Sequence, residues 1–129
     1  MKDVKFFRCN HCGNIVEMIH ESGVPIVCCG ENMHELVPNT SDGAGEKHVP
    51  VVNVEGNNVV VRVGSVDHPM LPEHYIQFIE IYKKDKSELH LKYLNPGDIA
   101  EFNITCLPEE IDAIEFCNIH GLWGENKND

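Results

Sequence analysis

From Val49 onward, apolar and polar residues alternate along most of the chain. The runs "VPVVNVEG" and "NVVVRVGSV" are joined by "EGNN", a hairpin signature. "YIQFIEIYKK" and "ELHLKYL" form a second pair around "KKDKS", and "AEFNITC" and "DAIEFCN" follow, separated by the turn-like "LPEEI". "LNPGDIA" reads as a further turn. A period of two places successive side chains on opposite faces, so these runs predict six or seven short strands and no helix. Short strands with frequent turns predict an all-β chain built on an antiparallel β-sandwich. Residues 1–37 read differently. They hold few large apolar residues, and so short a piece cannot bury enough surface to fold without a staple. "PNTSDGAGEKH", Pro38 to His48, is small and polar and reads as a linker. The expected division is a small domain over 1–37 and a sandwich domain over 38–129.

Composition narrows the function classes. The net charge of -11 argues against nucleic acid, because phosphates would be repelled. No apolar run reaches membrane-spanning length, and "MKDVKFFRCN" lacks the apolar core of a signal peptide, so a cytoplasmic protein is expected. In that compartment the six cysteines are metal ligands or core thiols rather than disulfides. No flavin or nicotinamide fingerprint is present.

Four of the cysteines fall in the first segment. "RCNHCG" is a C-x-x-C followed by Gly, a turn that aims Cys9 and Cys12 at one point. The second pair, Cys28 and Cys29 in "VCCGE", is adjacent. Neighbours in a strand point to opposite sides, so the two thiols can meet one metal only if the backbone turns sharply. Gly30 permits that turn. One tetrahedral four-thiolate site for iron or zinc is expected, against the alternative of disulfides or a redox dithiol.

The second segment offers a different donor set. His48 lies just before the first strand, His68 and His74 flank the loop "PMLPE", and Cys117 and His120 close the last strand in "FCNIHG". Strand ends converge at one pole of a sandwich, where such folds place sites. Four imidazoles and a thiolate exceed the four ligands of a structural zinc and suit iron or copper. The bland reading, surface histidines and a core thiol, stays open on residue types alone. That reading covers His11, His20 and His34. It also covers His90, expected to face solvent between Leu89 and Leu91, and Cys106, expected to be an inert buried thiol.

The first segment resembles desulforedoxin. "GEKHVP", "VDHPMLPEHYI" and "FCNIHGLW" resemble the superoxide reductase family. Together they identify the chain as similar to the desulfoferrodoxins, the two-iron branch of that family. The resemblance implies that Cys9, Cys12, Cys28 and Cys29 bind one iron. It implies that His48, His68, His74 and His120 bind a second iron in a plane, with Cys117 axial. Lys47 would draw superoxide and help deliver protons, and Glu46 would approach the open position of the oxidised iron. Backbone N–H groups of Ile119 and His120 would bond to the Cys117 sulfur. The implied activity is one-electron reduction of superoxide to hydrogen peroxide at a non-haem ferrous site. A rubredoxin-type donor and a homodimer are implied with it. The alternatives are a non-catalytic iron electron carrier or redox sensor, or a structural zinc protein.

Overall fold

The computed structural model describes residues 4–39, 45–105 and 110–125, and only the backbone of Glu46. It divides into two compact units, Met1–Val37 and Pro38–Asp129.

In the first unit, β1 (Phe6–Arg8) lies between β2 (Ile15–Glu17) and β5 (His34–Leu36), both antiparallel to it. β3 (Val27–Cys28) and β4 (Glu31–Asn32) form a separate two-stranded hairpin. Phe6, Cys9 and Met33 are its buried apolar residues, whereas Ile19, Val24, Val27 and Val37 are exposed. A fully buried aliphatic or aromatic side chain contributes about 1.5–3 kcal/mol. Two such side chains cannot offset the conformational entropy of ordering this segment, at about 1–2 kcal/mol per residue.

The second unit is a sandwich. A short helix, α1 (Gly45–His48), leads into β6 (Pro50–Glu55), which pairs with β7 (Asn58–Val63); β10 (Glu101–Ile104) pairs with the other edge of β7. The facing sheet has the order β12-β11-β8-β9, from β8 (Ile76–Lys83), β9 (Leu89–Tyr93), β11 (Ile111–Cys117) and β12 (Gly121–Gly124). All pairings are antiparallel, as in immunoglobulin-like sandwiches. Val59, Val61 and Val63 of β7 pack against Ile79 and Ile81 of β8 and Ile111 and Ala113 of β11. Each is at most 3% exposed, so this unit has the core the first lacks. The β6–β7 turn is Gly56-Asn57 between paired Glu55 and Asn58, with Gly56 at φ 62°, the glycine-first arrangement that suits a two-residue hairpin.

One expectation is corrected. The stretch read as linker ends in α1, closed by Val49 N–H donating to the Gly45 carbonyl at 2.9 Å. A four-residue helix has no room for a periodic signal. The sequence "GLWG" forms β12, the seventh strand of this unit and within the six or seven expected, and its end is tied by the Gly124 N–H to Asn39 Oδ1 at 2.8 Å. His90 is open to solvent as expected, its side chain 41% exposed beside Glu88, and Leu89 and Leu91 are exposed as well. His90 pairs with Ile81 and lines a cleft with Ile104 and Ile111. Cys106 lies outside the described residues.

Candidate metal centres

The chain builds the first centre from two turns. After β1, Cys9 N–H donates to the Asn14 carbonyl and Gly13 N–H to the Cys9 carbonyl, both at 2.9 Å, closing the C-x-x-C loop with Gly13 at φ 83°. In the other turn Cys28 pairs with Glu31, so Cys29 and Gly30 are the two hairpin residues, at φ 54° and 73°. Two consecutive left-handed residues are what a type I′ turn requires. The sharp turn expected at the adjacent cysteines is therefore present, and Cys29 itself takes the conformation that disfavours a side chain. All four Sγ atoms lie within 4.8 Å of one another, and none forms a disulfide. Cys12 and Cys28 sulfurs are 3.6 Å apart. Sulfurs about 2.3 Å from one tetrahedral ion would sit about 3.8 Å apart, so the spacing suits a shared ion.

Protonation follows the backbone. Hydrogen bonds from the Cys12 and His11 N–H groups hold the Cys9 thiol down to about 6, while Cys29, bonded to its neighbouring sulfurs Cys9 first, is pushed up to about 12. Cys9 is thus the readier thiolate, and a cation would favour ionisation of the raised Cys28 and Cys29 thiols. At its rim, Glu31 accepts from His11 and from His34, the latter at 3.3 Å, with all three side chains exposed.

The second centre gathers five side chains from separate strand ends. His48 ends α1, His68 follows β7, and His74 precedes β8. Cys117 ends β11, and His120 closes the three-residue turn before Gly121, which takes φ 83°. A β-bulge decides the side on which two of them fall. Phe116 pairs with Phe78, but Cys117 pairs with Ile76, so β8 holds one extra residue there. The bulge reverses the parity of β8, bringing Ile76 into the core beside Cys117. His74, two residues earlier, falls on the same side.

The four rings form a pinwheel. Successive neighbours His48–His68, His68–His74, His74–His120 and His120–His48 have centroids 4.6–5.1 Å apart and interplanar angles of 66–81°. His48 Nε2 lies 3.0 Å from both His68 Nε2 and His120 Nδ1. One ring nitrogen offers a single in-plane site, either a proton or a lone pair, so it cannot make two good hydrogen bonds at once. Nitrogens about 2.05 Å from one ion lie about 2.9 Å apart at a right angle and about 3.4 Å apart at the tetrahedral angle. The observed spacing fits the right angle. Cys117 Sγ lies 3.4 Å from His68 Nε2 and 3.8 Å from His120 Nδ1, a fifth donor to the same point.

Protonation suits a cation here too. Burial pushes His68 down to about 4 and lowers His74, aided by the His120 and Lys47 charges, so these rings present lone pairs. Buried His74 Nε2 has no hydrogen-bond partner, as expected of an atom facing an ion. Burial also raises the Cys117 thiol, against the N–H groups of His120 and Ile119; His120 N–H lies 3.5 Å from the sulfur. A metal ion would reverse that penalty and hold the thiolate. His68 Nδ1 donates to the Pro69 carbonyl at 2.7 Å, which fixes the tautomer and leaves Nε2 for the centre. Trp123 stacks on His48 at 5.0 Å and donates its indole N–H to the His120 carbonyl at 3.0 Å.

The residues expected at the two centres therefore come together in two groups, Cys9, Cys12, Cys28 and Cys29, and His48, His68, His74, Cys117 and His120. Lys47 sits beside them on α1, while the Glu46 side chain lies outside the described residues. Sequence reasoning missed Glu115. It is fully buried on the core face of β11, its oxygens have no partner, and burial raises its carboxyl well above the ordinary range. Its alternation with Cys117, two positions on, was the available signal. Asn118 and Trp123 were missed because their roles are hydrogen bonds and stacking across strands.

A β-sandwich carrying a nitrogen-rich five-donor site, with a four-thiolate knot in its own unit, defines a class of two-iron protein. The family model for desulfoferrodoxin matches residues 40–126, and that for its N-terminal domain matches residues 2–36. A desulfoferrodoxin homolog from Archaeoglobus fulgidus is 45% identical over 120 residues, covering 93% of this chain and 94% of its own. A desulfoferrodoxin from Nitratidesulfovibrio vulgaris is 45% identical over 119 residues, covering 92% and 93%. The superoxide reductase from Treponema pallidum superposes with a TM-score of 0.74 at 34% identity, over 97% of this chain and 100% of that one. The chain belongs to the desulfoferrodoxin family. Its four-cysteine and four-histidine, one-cysteine groups match the two iron sites of that family.

Proposed function

We propose that this chain is a superoxide reductase: superoxide, one electron and two protons give one hydrogen peroxide, with no dioxygen released. His48, His68, His74, His120 and Cys117 would hold the reacting iron. Cys9, Cys12, Cys28 and Cys29 hold the other. The observation that carries this reading is the convergence of four imidazoles and one thiol within 4.8 Å of one another, with His48 Nε2 3.0 Å from both His68 Nε2 and His120 Nδ1. Five protein donors would leave a six-coordinate ion one position for a diatomic anion. A ferrous ion bound there supplies the electron and a coordination position.

The side chains supply the rest. The chain is acidic overall, so superoxide needs a local cation, and Lys47 provides it at the edge of the pinwheel. The ammonium could also relay protons from water. Glu46, next to Lys47 in the chain, would be a further carboxylate available to the oxidised iron, as the resemblance implies. His120 N–H, bonded to the Cys117 sulfur, limits how much electron density the thiolate donates. Four thiolates leave the knot no vacant position, so its role is structural and electron-transferring. A rubredoxin-type donor, a homodimeric assembly and a cytoplasmic setting complete the reading; free thiols at Cys9, Cys12, Cys28, Cys29 and Cys117 favour a reducing compartment.

The test is stoichiometric. Ferrous protein given superoxide under anaerobic conditions should yield one peroxide per iron oxidised at the second centre and no dioxygen. Dioxygen evolution would make the chain a dismutase, and unconsumed superoxide would leave it an electron carrier.

A further inference from the structure

His74 sits on a segment with little structure of its own: Leu71 and His74 bond to each other through N–H and carbonyl groups, at 2.9 and 3.0 Å, and Glu73 is exposed. What fastens this segment to the rest of the centre is Asn118. Its N–H donates to the Tyr75 carbonyl at 3.2 Å, its Oδ1 accepts from the Tyr75 N–H at 2.9 Å, and its Nδ2 donates to the Glu73 carbonyl at 3.0 Å. The two amide ends cannot be exchanged, because a backbone N–H must meet the oxygen and a carbonyl the nitrogen. Both residues flanking His74 are thus held by the side chain adjacent to Cys117. The ladder between β8 and β11 ends at the Cys117–Ile76 pair, and Asn118 continues it with side-chain atoms in place of a strand.

We propose that Asn118 is a positioning residue for the reacting iron: its amide clamps the His74 segment to the thiolate turn and so fixes the distance between the His74 ring and the Cys117 sulfur. The inference rests on the reading of His74 as a ligand. Aspartate would keep the acceptor for Tyr75 and lose the donor for Glu73. Leucine, of similar volume, would lose both. Groups that orient metal ligands typically alter metal affinity by about 10–100-fold when removed.

The experiment uses the full, iron-loaded chain and follows iron release to a chelator through the thiolate-to-iron charge-transfer band, with the four-thiolate absorption as an internal control for folding. Asn118→Leu should speed release from the second centre by about 10–100-fold and Asn118→Asp by less, with the control unchanged. In a His74→Ala background, Asn118→Leu should add less than about twofold, since the ring it positions is gone. An Asn118→Leu release rate equal to the parent, or an undiminished effect in the His74→Ala background, would overturn the clamp while leaving His74 a ligand. If Asn118→Leu does not fold, a parent-like Asn118→Asp rate overturns the clamp alone. A His74→Ala variant with unaltered release and band would instead remove His74 from the ligand set, and the clamp with it.

Discussion

The two units solve the same problem, holding an iron with side chains, in opposite ways. In the first, the donors make the fold. Cys9 is one of three buried apolar residues of the unit, and both turns exist to aim sulfurs. In the second, the fold makes the donors converge. His48, His68, His74 and Cys117 hang from ends of strands whose other residues already form a valine and isoleucine core. The lesson is about dependence: the knot should need its metal to exist, while the sandwich should stand without one.

The strongest way to break this contrast is to remove one thiol from the knot. Cys9→Ser should unfold residues 4–37, seen as lost amide protection there, while the sandwich keeps its protection; metal binding in such small units contributes about 10–16 kcal/mol of folding free energy. A protected first unit in that variant would mean that its few buried side chains suffice. The mirror experiment is Cys117→Ser. It should abolish the thiolate band and superoxide reduction yet leave the sandwich folded, at a stability cost of about 1–3 kcal/mol for a buried hydroxyl. A smaller, stability-only effect separates the units from the other side. Ile79→Ala, at a position with no exposed surface, should destabilise the sandwich by about 2–5 kcal/mol without altering the four-thiolate spectrum. The smallest expected effect lies at the rim. Lys47→Ile should slow the reaction with superoxide by about tenfold and weaken its ionic-strength dependence, with both spectra retained.

How much of this was legible follows from what each feature depends on. The sandwich was readable because β7 and β8 are runs rich in valine and isoleucine bounded by turn residues, and its strand boundaries were missed by one to three residues. The four-thiolate knot was readable because its ligands sit in two local turns, and a turn advertises itself through Gly13 and Gly30. The histidine pinwheel was different. Its members are spread from His48 to His120; strand-end placement set them apart from His90, inside a strand, but only the resemblance decided that they share one ion. The bulge between Phe116 and Cys117, which puts His74 and Cys117 on one side, leaves no trace in "YIQFIEIYKK". Nor does the exposure of β9 follow its apolar residues, since Leu89 and Leu91 are both exposed. Asn118 looked like an ordinary turn residue, because its partners at Glu73 and Tyr75 are more than forty positions away.

X-ray absorption at the iron edge of the Cys9→Ser protein, which retains only the second iron, would test the central claim most directly. The donor set described here predicts a first shell of about four nitrogens near 2.1 Å and one sulfur near 2.3 Å. A shell without sulfur, or one dominated by it, would contradict the assignment of Cys117 and the four imidazoles to a single ion.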